Sequence, residues 1–284
     1  MGINKQNDDV MLIEDSINEY DKYMTVASNK SKKRKGAKFF TELECFNELG
    51  ESIWKDHNEL LLSGGLFTLS KISGVNAPIN IKTLNQDLSI LASETNPGFT
   101  GPRREDVIVG FVIGTSGSGD TFDTVKKVEY KERTITSLVP FRTVEQTADL
   151  SSAERAKYKL KKANGIYYDY FLKLFETTPQ IKVEYDEPGS PSVPANVDET
   201  TDNKVINTYL QYVLKINAND VREFFKIRGG GLRKARVNTL ALVHGYLDGS
   251  GEYKGGRCFS KINFNNEPFD NETKELTVVY KIYI

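Results

Sequence analysis

The chain contains very few cysteine and histidine residues, and this scarcity argues against several classes of protein. Its 284 residues include only 2 cysteines, Cys45 and Cys258, which are far apart and outside any CxxC pair. This pattern argues against a zinc ribbon, a thioredoxin-like site and a disulfide-stapled secreted fold. His57 and His244 belong to no HxxxH or HExxH motif, so a metal site would need ligands from distant sequence. We expect structural roles for both histidines, and we predict no metal site and no bound cofactor.

The chain also has no excess of positive or negative charge and no long apolar run. The 38 Lys and Arg residues nearly balance the 39 Asp and Glu residues, giving a net charge of −1. Such a chain has no overall basic field, so any contact with DNA has to come from a local patch. No apolar run approaches the roughly 20 residues that cross a bilayer, and the polar N-terminus lacks the order of a signal peptide. We therefore expect a protein made in a reducing cytoplasm, without a membrane partner.

Polar and charged residues dominate the first 36 residues, which we predict to form a flexible basic arm. The arm ends in a run of cations, among them Lys32, Lys33, Arg34 and Lys35. Such a run is either a solvated tether or an arm that reaches a neighbouring subunit or a phosphate backbone. Residues 37–284 are predicted to form a single domain, with a Pro-rich acidic excursion at residues 186–202.

Alternating and β-branched runs predict that this domain is rich in strands. Residues 107–113 are almost all apolar and mostly β-branched, as in a strand buried on both faces, and are predicted to form the central strand. Long strands are expected at 204–216 and 236–246, and an alternating strand at 275–284. The predicted fold class is α+β and β-rich, with a mixed or antiparallel, sandwich-like sheet, a few peripheral helices and long loops.

Two predictions concern the region before the central strand. Apolar residues recur every three or four positions over 39–54, which predicts an amphipathic helix. Gly64 and Gly65 are expected to break the chain before a short strand at 66–72.

Capping residues predict two further helices. Ser151, followed three residues later by Glu154, is typical of a capping box and predicts a surface helix over 152–162. A shorter helix is expected to open at Asn219 or Asp220.

The glycine-rich residues 114–121 have the spacing of the phosphate-binding loop of nucleotide hydrolases, except at the lysine position. Asp120 stands there, and a carboxylate beside several phosphates would be repelled. We interpret this loop as the tip of a hairpin between two strands, mobile in isolation and ordered by a neighbouring subunit. We accordingly predict no catalytic residue, no enzymatic activity and no small-molecule substrate.

A second glycine run, at residues 229–231, lies among several cations. These candidate contacts are Arg228, Arg233, Lys234 and Arg236. Glycines let a backbone approach a partner closely while the side chains supply charge. The segment is either a mobile loop or a contact with DNA or an acidic neighbour.

Seven short segments, within a region that runs from about Asn58 to the C-terminus, share a pattern with a known group of proteins. They are residues 138–142, 149–158, 168–175, 220–225, 235–238, 263–267 and 273–283. These segments resemble tailed-bacteriophage virion proteins of the head-to-tail neck and tail-completion type. The resemblance implies a ring of copies at the portal or tail end that joins head and tail, with strands or loops exchanged between neighbours.

The partners implied by the resemblance are further copies of the chain, other virion proteins of the neck or tail, and genomic DNA in a lumen. Other functions stay open on sequence grounds. One is a nucleic-acid-binding module that uses the basic arm and loop, and another is a different virion part, such as a baseplate or capsid-attached protein. A nucleotide hydrolase acting through the glycine loop is a third hypothesis.

Overall fold

The last strand shows how the sequence builds the fold. Along β14 (Glu275–Tyr283) every second side chain is buried, from Leu276 to Ile282, while the intervening ones are half-buried. Because successive side chains of a strand point to opposite faces, this strand lays one apolar face against the core. The predicted alternating strand at 275–284 is thereby confirmed as far as Tyr283.

The computed structural model describes residues 40–57, 59–60, 62–74, 106–117, 137–186, 193–194 and 205–283. The helices in these ranges are α1 (Leu62–Ser73), α2 (Ser152–Lys157) and α3 (Ala218–Ile227). The strands before β14 are β1 (Phe40–Phe46), β2 (Ser52–Asp56), β3 (Glu59–Leu60), β4 (Val107–Gly114), β5 (Leu138–Val139), β6 (Arg142–Glu145), β7 (Tyr158–Asn164), β8 (Tyr167–Leu174), β9 (Gln180–Asp186), β10 (Val193–Pro194), β11 (Val205–Asn217), β12 (Arg236–Leu247) and β13 (Tyr253–Pro268).

These strands form two sheets that pack face to face. The smaller sheet has the order β10-β9-β11-β14-β1-β2. The larger sheet has the order β3-β13-β12-β4-β8-β6, with β5 beside β4 and β7 beside β8. Every pairing among the described strands is antiparallel. The protein is therefore a β-rich, sandwich-like α+β fold, as the sequence predicts.

The main core lies between the two sheets. Leu43 and Tyr280 from the smaller sheet and Phe111 and Phe259 from the larger sheet are buried in it. The hydroxyl groups of Ser260 and Tyr280 lie 2.5 Å apart and form a polar link between the sheets. Burial of this much apolar surface is the main source of stability in such a sandwich.

A second apolar cluster lies on the other face of the larger sheet. It includes Val112 of β4 and Ala241 and Val243 of β12, all fully buried. β4 and β12 are thus covered on both faces, and β4 lies between β12 and β8. The prediction of a central strand at 107–113 is confirmed, and its burial on both faces holds from Gly110 to Ile113, whereas Val107 is 51% exposed.

The predicted amphipathic helix at 39–54 is wrong, because β1 and β2 occupy this region. The two strands are joined by a turn in which the Asn47 side chain accepts the backbone N–H groups of Leu49 and Glu51 at 3.0 and 2.9 Å. Leu49, which the helical pattern counts as a core residue, is 77% exposed. The inward residues of β1 are Thr41, Leu43 and Cys45, which alternate as in a strand, so the apolar spacing of three and four positions does not mark one buried face.

The predicted glycine break and strand at 64–72 are also wrong, because α1 runs through both. Gly64 is buried inside the helix, and its carbonyl accepts the Thr68 hydroxyl at 2.9 Å. Phe67 packs its ring against Phe259 and His244 of the larger sheet, with centroids 5.7 and 4.8 Å apart. Tertiary packing here outweighs the low helix propensity of two glycines.

The predicted surface helix over 152–162 starts where expected, directly after Ser151, but it ends five residues earlier than predicted. Both hydrogen bonds of the Ser151–Glu154 capping box are present. The helix stops at Lys157, and the chain continues as β7, which pairs with β8 across a turn containing Gly165 at φ +62°. No residue of this short helix is buried, so its surface position is as predicted.

The remaining strand predictions agree with the structure, since β11 and β12 match the runs at 204–216 and 236–246. Residues 39–284 form one compact unit. The basic arm with Lys32 to Lys35, and most of the excursion at 186–202, lie outside the described residues. No helix within the described ranges has the length and hydropathy needed to span a membrane.

Candidate assembly surface at the end of the third helix

Helix α3 begins at a capping box rather than at Asn219 or Asp220. The Asn217 side chain accepts the N–H of Asp220 at 3.0 Å, and the Asp220 carboxylate accepts the N–H of Asn217 at 3.0 Å. Asn217 ends β11, so the strand passes directly into the helix. This reciprocal pair satisfies two backbone donors that a helix start leaves free.

Asp220 also anchors the helix to the larger sheet through a buried ion pair. The ammonium of Lys173, in β8, lies 2.8 Å from Asp220 Oδ2, and both side chains are only 1% exposed. Lys173 donates a second hydrogen bond to the carbonyl of Lys215 at 2.9 Å. The Tyr158 hydroxyl donates to Asp220 Oδ1 at 3.0 Å, and burial, together with this neighbouring carboxylate, raises the pKa of the Tyr158 phenol. The helix start is thus fixed to β7, β8 and β11.

Two more ionic contacts fix the body and end of α3. Glu223 accepts Arg142 Nε at 3.2 Å and the backbone N–H of Thr143 at 2.5 Å. Arg228, just after the helix, forms an ion pair with Asp169, a side chain in β8 that is 1% exposed. Helix α3 is therefore held along its length, and the segment that follows starts from a fixed position.

Arg142 pairs with Glu154 as well as with Glu223. The hydrogen bond from Arg142, followed by the hydrogen bond from Ser151, lowers the pKa of Glu154 from 4.5 to about 2. A carboxylate whose pKa is lower in the folded state stabilises that state above the unfolded pKa, and the stabilisation disappears as the pH falls through the folded pKa.

We expect the Glu154→Gln variant to be less stable than the wild type at pH 6, and the difference to shrink between pH 4.5 and pH 2, the window set by this pKa shift. Urea unfolding of both proteins at several pH values measures the difference. Glu48→Gln, an exposed position in the β1–β2 turn, is the control. A difference that stays constant across this pH range contradicts the expectation.

The glycines after α3 are required by close packing and by backbone angles. A Cβ at Gly229 would lie 2.7 Å from the Cα of Phe225, and Gly230 and Gly231 have φ values of +88° and +101°. The N–H of Gly229 donates to the Phe224 carbonyl, and that of Gly231 to the Phe225 carbonyl, both at 2.9 Å. Only glycine takes these positions without strain. The run is a defined turn that ends the helix.

The predicted contact residues occupy different environments. Arg233 and Lys234 are exposed, in a short 3-10 turn after the glycines. Arg236 is half-buried as the first residue of β12, opposite Pro268. Arg228 lies within the ion pair with Asp169, and its guanidinium also sits 5.8 Å from the ring of Tyr167. Of these four cations, Arg233 and Lys234 present the most accessible charge.

Lys226, which flanks the glycine run in the sequence, and two apolar side chains belong to the same exposed region. Lys226 is exposed at the end of α3, and Ile227 and Leu232 are 38% and 36% exposed. A signal for Ile227 exists in the sequence, since it falls off the helical face formed by Val221, Phe224 and Phe225. We call the group formed by Lys226, Ile227, Leu232, Arg233 and Lys234 the basic rim.

The first glycine loop is described only as far as Gly117. The N–H of Gly117 donates to the side-chain oxygen of Asn238 at 2.7 Å, and a Cβ there would lie 1.9 Å from the Asn238 carbonyl oxygen. Gly117, which lies between the two glycines of the phosphate-loop spacing, thus packs tightly on β12. Residues 118–121, including Asp120, lie outside the described ranges, so the interpretation of the tip stays a prediction.

The histidines and cysteines lie apart from the basic rim. His57 Nδ1 is 2.9 Å from the carbonyl of Thr41, and His244 is fully buried with Nδ1 3.6 Å from Asp106. Both cysteines are buried free thiols, and burial raises the pKa of Cys45 to about 12. The described residues contain no group of three His, Cys, Asp or Glu placed to hold a metal ion.

The fold and the exposed end of α3 define a two-sheet β-sandwich protein that carries a small basic and apolar surface. Comparison of the chain with family models, with curated proteins and with solved structures gives no match.

Proposed function

We propose that the chain is a structural subunit of a tailed-bacteriophage particle. In this proposal it is made in the host cytoplasm and assembles as a ring at the neck or tail end of the virion, where it joins head and tail. It acts by forming stoichiometric contacts with other copies and with neighbouring virion proteins. The sequence resemblance to neck and tail-completion proteins is the reason for naming this setting.

The observation that carries the proposal is the way the basic rim is held. Three ion pairs fix α3 and the residue after it to β6 and β8, and the glycine turn fixes the loop that follows. Exposed cations therefore stand beside exposed Ile227 and Leu232 at a defined place. A surface that needs little ordering on binding loses less conformational entropy in an interface. This suits a permanent contact between proteins.

The experiment is a measurement of oligomeric mass on the purified full-length chain, by light scattering and native mass spectrometry over a range of concentrations. We expect one closed oligomer of fixed mass, ring-shaped in negative-stain electron microscopy. Immunodetection in purified particles from the same source should find the chain at constant copy number. A protein that is monomeric at every concentration and absent from particles contradicts the proposal.

A further inference from the structure

A lysine and an aspartate meet in the interior of the protein. Lys173 Nζ lies 2.8 Å from Asp220 Oδ2, and each side chain is only 1% exposed. In the register of the larger sheet, Lys173 pairs with Phe111 of β4 and with Tyr158 of β7. Because paired residues of a sheet project to the same face, the lysine stem starts beside Phe111, which is itself 1% exposed. The ammonium and the carboxylate are therefore in contact in surroundings that exclude water.

Further polar groups contact this pair. Glu176 Oε1 lies 3.0 Å from Lys173 Nζ, and its side chain is 44% exposed, so it can exchange protons with water. The Tyr158 hydroxyl donates to Asp220 Oδ1 at 3.0 Å. The carbonyl of Lys215 accepts from Lys173 Nζ at 2.9 Å. The amine nitrogen thus has a second carboxylate beside it, and the aspartate has a hydroxyl donor on its other oxygen.

We propose that Lys173 and Asp220 condense to an isopeptide bond within the chain. One proton passes from the ammonium to Asp220 Oδ2, and the neutral Nζ attacks Cγ of Asp220. Nζ then loses a second proton, Oδ2 leaves as water with both protons, and a bond between Nζ and Cγ remains. One positive and one negative charge disappear together, and no other reactant is needed. The inference goes beyond the proposed function and does not depend on it.

Glu176 and Tyr158 supply the proton transfer and the charge stabilisation that this reaction needs. Burial acts to raise the pKa of Glu176, but the hydrogen bond and charge of Lys173 outweigh it and lower the pKa from its usual 4.5. Glu176 is therefore a carboxylate at neutral pH. It accepts a proton from Nζ and returns it to the departing oxygen, since both carboxylates contact the same nitrogen. The Tyr158 hydroxyl stabilises the negative charge that develops on Oδ1.

Contact in the folded chain favours condensation. Effective concentrations of about 10⁵ M or more are reached when reacting groups are held in alignment. A dry site also keeps away the water that would hydrolyse the product. Lys161 and Asp149 show the contrast, because they lie 3.0 Å apart with side chains that are 42% and 27% exposed. Such a pair is an ordinary surface ion pair.

The product keeps most of the hydrogen bonds of the pair. The new amide N–H donates to the Lys215 carbonyl, and Asp220 Oδ1 still accepts the Tyr158 hydroxyl. The departing Oδ2 is the acceptor of the Asn217 N–H, so one bond of the capping box is lost while the other remains. The cross-link joins β8 to the start of α3 across 47 positions of the chain, which restricts the unfolded state as a disulfide does.

The test is the intact mass of the purified full-length chain. Once any removal of Met1 is accounted for, we expect a mass about 18 Da below that of the sequence, which is one water molecule. Tandem mass spectrometry of a proteolytic digest should find one pair of linked peptides, containing Lys173 and Asp220. A chain that keeps its full mass after folding and prolonged incubation overturns the inference. If that chain still assembles and is found in particles, the proposed function stands.

Lys173→Arg is the matched variant, because a guanidinium keeps its proton in proteins and cannot attack the carboxylate. This variant should have the full mass of its sequence, and circular dichroism checks that it is folded. Lys161→Arg, in the exposed pair, is the control and should lose water as the wild type does. A water lost at Asp248 and Gly249, where an aspartyl succinimide can form, gives the same mass without linked peptides, and that result overturns the inference.

Glu176→Gln tests the proton transfer. Glutamine keeps an oxygen that accepts from Lys173, but it cannot take up the proton. In chains collected unfolded in urea and then refolded, we expect the water loss to be about a hundred times slower than in the wild type. Equal rates overturn the role of Glu176 and leave the cross-link standing. The unreacted wild type, identified by its full mass, is also the reference for measuring the stability of the ion pair.

Discussion

Replacement of Lys173 by methionine is expected to lower the free energy of unfolding by about 3–5 kcal/mol, the range found when one partner of a buried ion pair is removed. Methionine fills a similar volume but leaves Asp220, whose side chain is 1% exposed, without its ionic partner in the core. The hydrogen bond to the Lys215 carbonyl is also lost. Few single substitutions in this protein should have a larger effect.

Urea unfolding measures this effect, and the chain contains a single tryptophan to report it. Trp54 of β2 stacks on Phe264 of β13, with ring centroids 5.0 Å apart, so its fluorescence follows the packing of the two sheets. The control is the double variant Lys173→Met and Asp220→Asn, which removes both charges and should recover much of the loss. A single variant within about 1 kcal/mol of the wild type would show that the pair is dispensable.

The Gly110→Ala variant should lose about 3 kcal/mol, near the upper end of the usual range for overpacking. A Cβ at Gly110 would lie 2.2 Å from the carbonyl oxygen of Lys173 and 3.0 Å from the Cα of Leu174. These are backbone atoms of β8, which pairs with β4 at this point. One added methyl group therefore forces two central strands apart, because no side chain can rotate away.

The matched control is Gly65→Ala, which adds the same methyl group inside α1. Apart from the adjacent residues and the backbone of α1 itself, no atom of the described residues lies within 4 Å of the Cβ position there, and the backbone is helical. Alanine is the better helix former by up to about 1 kcal/mol, so this variant should be more stable than the wild type. Urea unfolding with Trp54 fluorescence compares the two. Equal losses in both variants would contradict the packing explanation.

Periodicity predicted the strands well where a single element spans the pattern. Strands β4, β11, β12 and β14 fall where apolar alternation or a continuous β-branched run indicated them. The capping box at Ser151 is also readable, since both of its hydrogen bonds lie within four consecutive residues. Alternation and capping depend on residues that are close in sequence, so the sequence shows them directly.

The apolar pattern predicted the wrong secondary structure in two situations. In one, a single segment contains two strands, and in the other, tertiary packing outweighs helix propensity. Over 39–54 apolar residues of β1, of the turn and of β2 combine into a false helical spacing, although Leu49 and Ile53 are exposed. In α1, contacts of Phe67 with the larger sheet keep a helix intact through Gly64 and Gly65. After Lys157 the pairing of β7 with β8 ends a helix whose charged sequence would otherwise continue.

For the basic rim, too, the sequence shows some features and only the tertiary structure shows others. Composition and local spacing identify the cations near residues 229–231 and the acids of residues 186–202, because charge is a property of the residues themselves. Which cations remain accessible depends on partners far along the chain, and Arg228 meets Asp169, 59 positions away.

The sequence by itself therefore determined the β-rich class, the alternating strands, the helix cap at Ser151 and the placement of opposite charges along the chain. The tertiary structure decided that Arg228 is held in an ion pair with the buried Asp169, while Arg233 and Lys234 stay exposed. The physical reason is that hydrogen bonding and periodicity act over a few residues, whereas burial and distance depend on how the sheets pack.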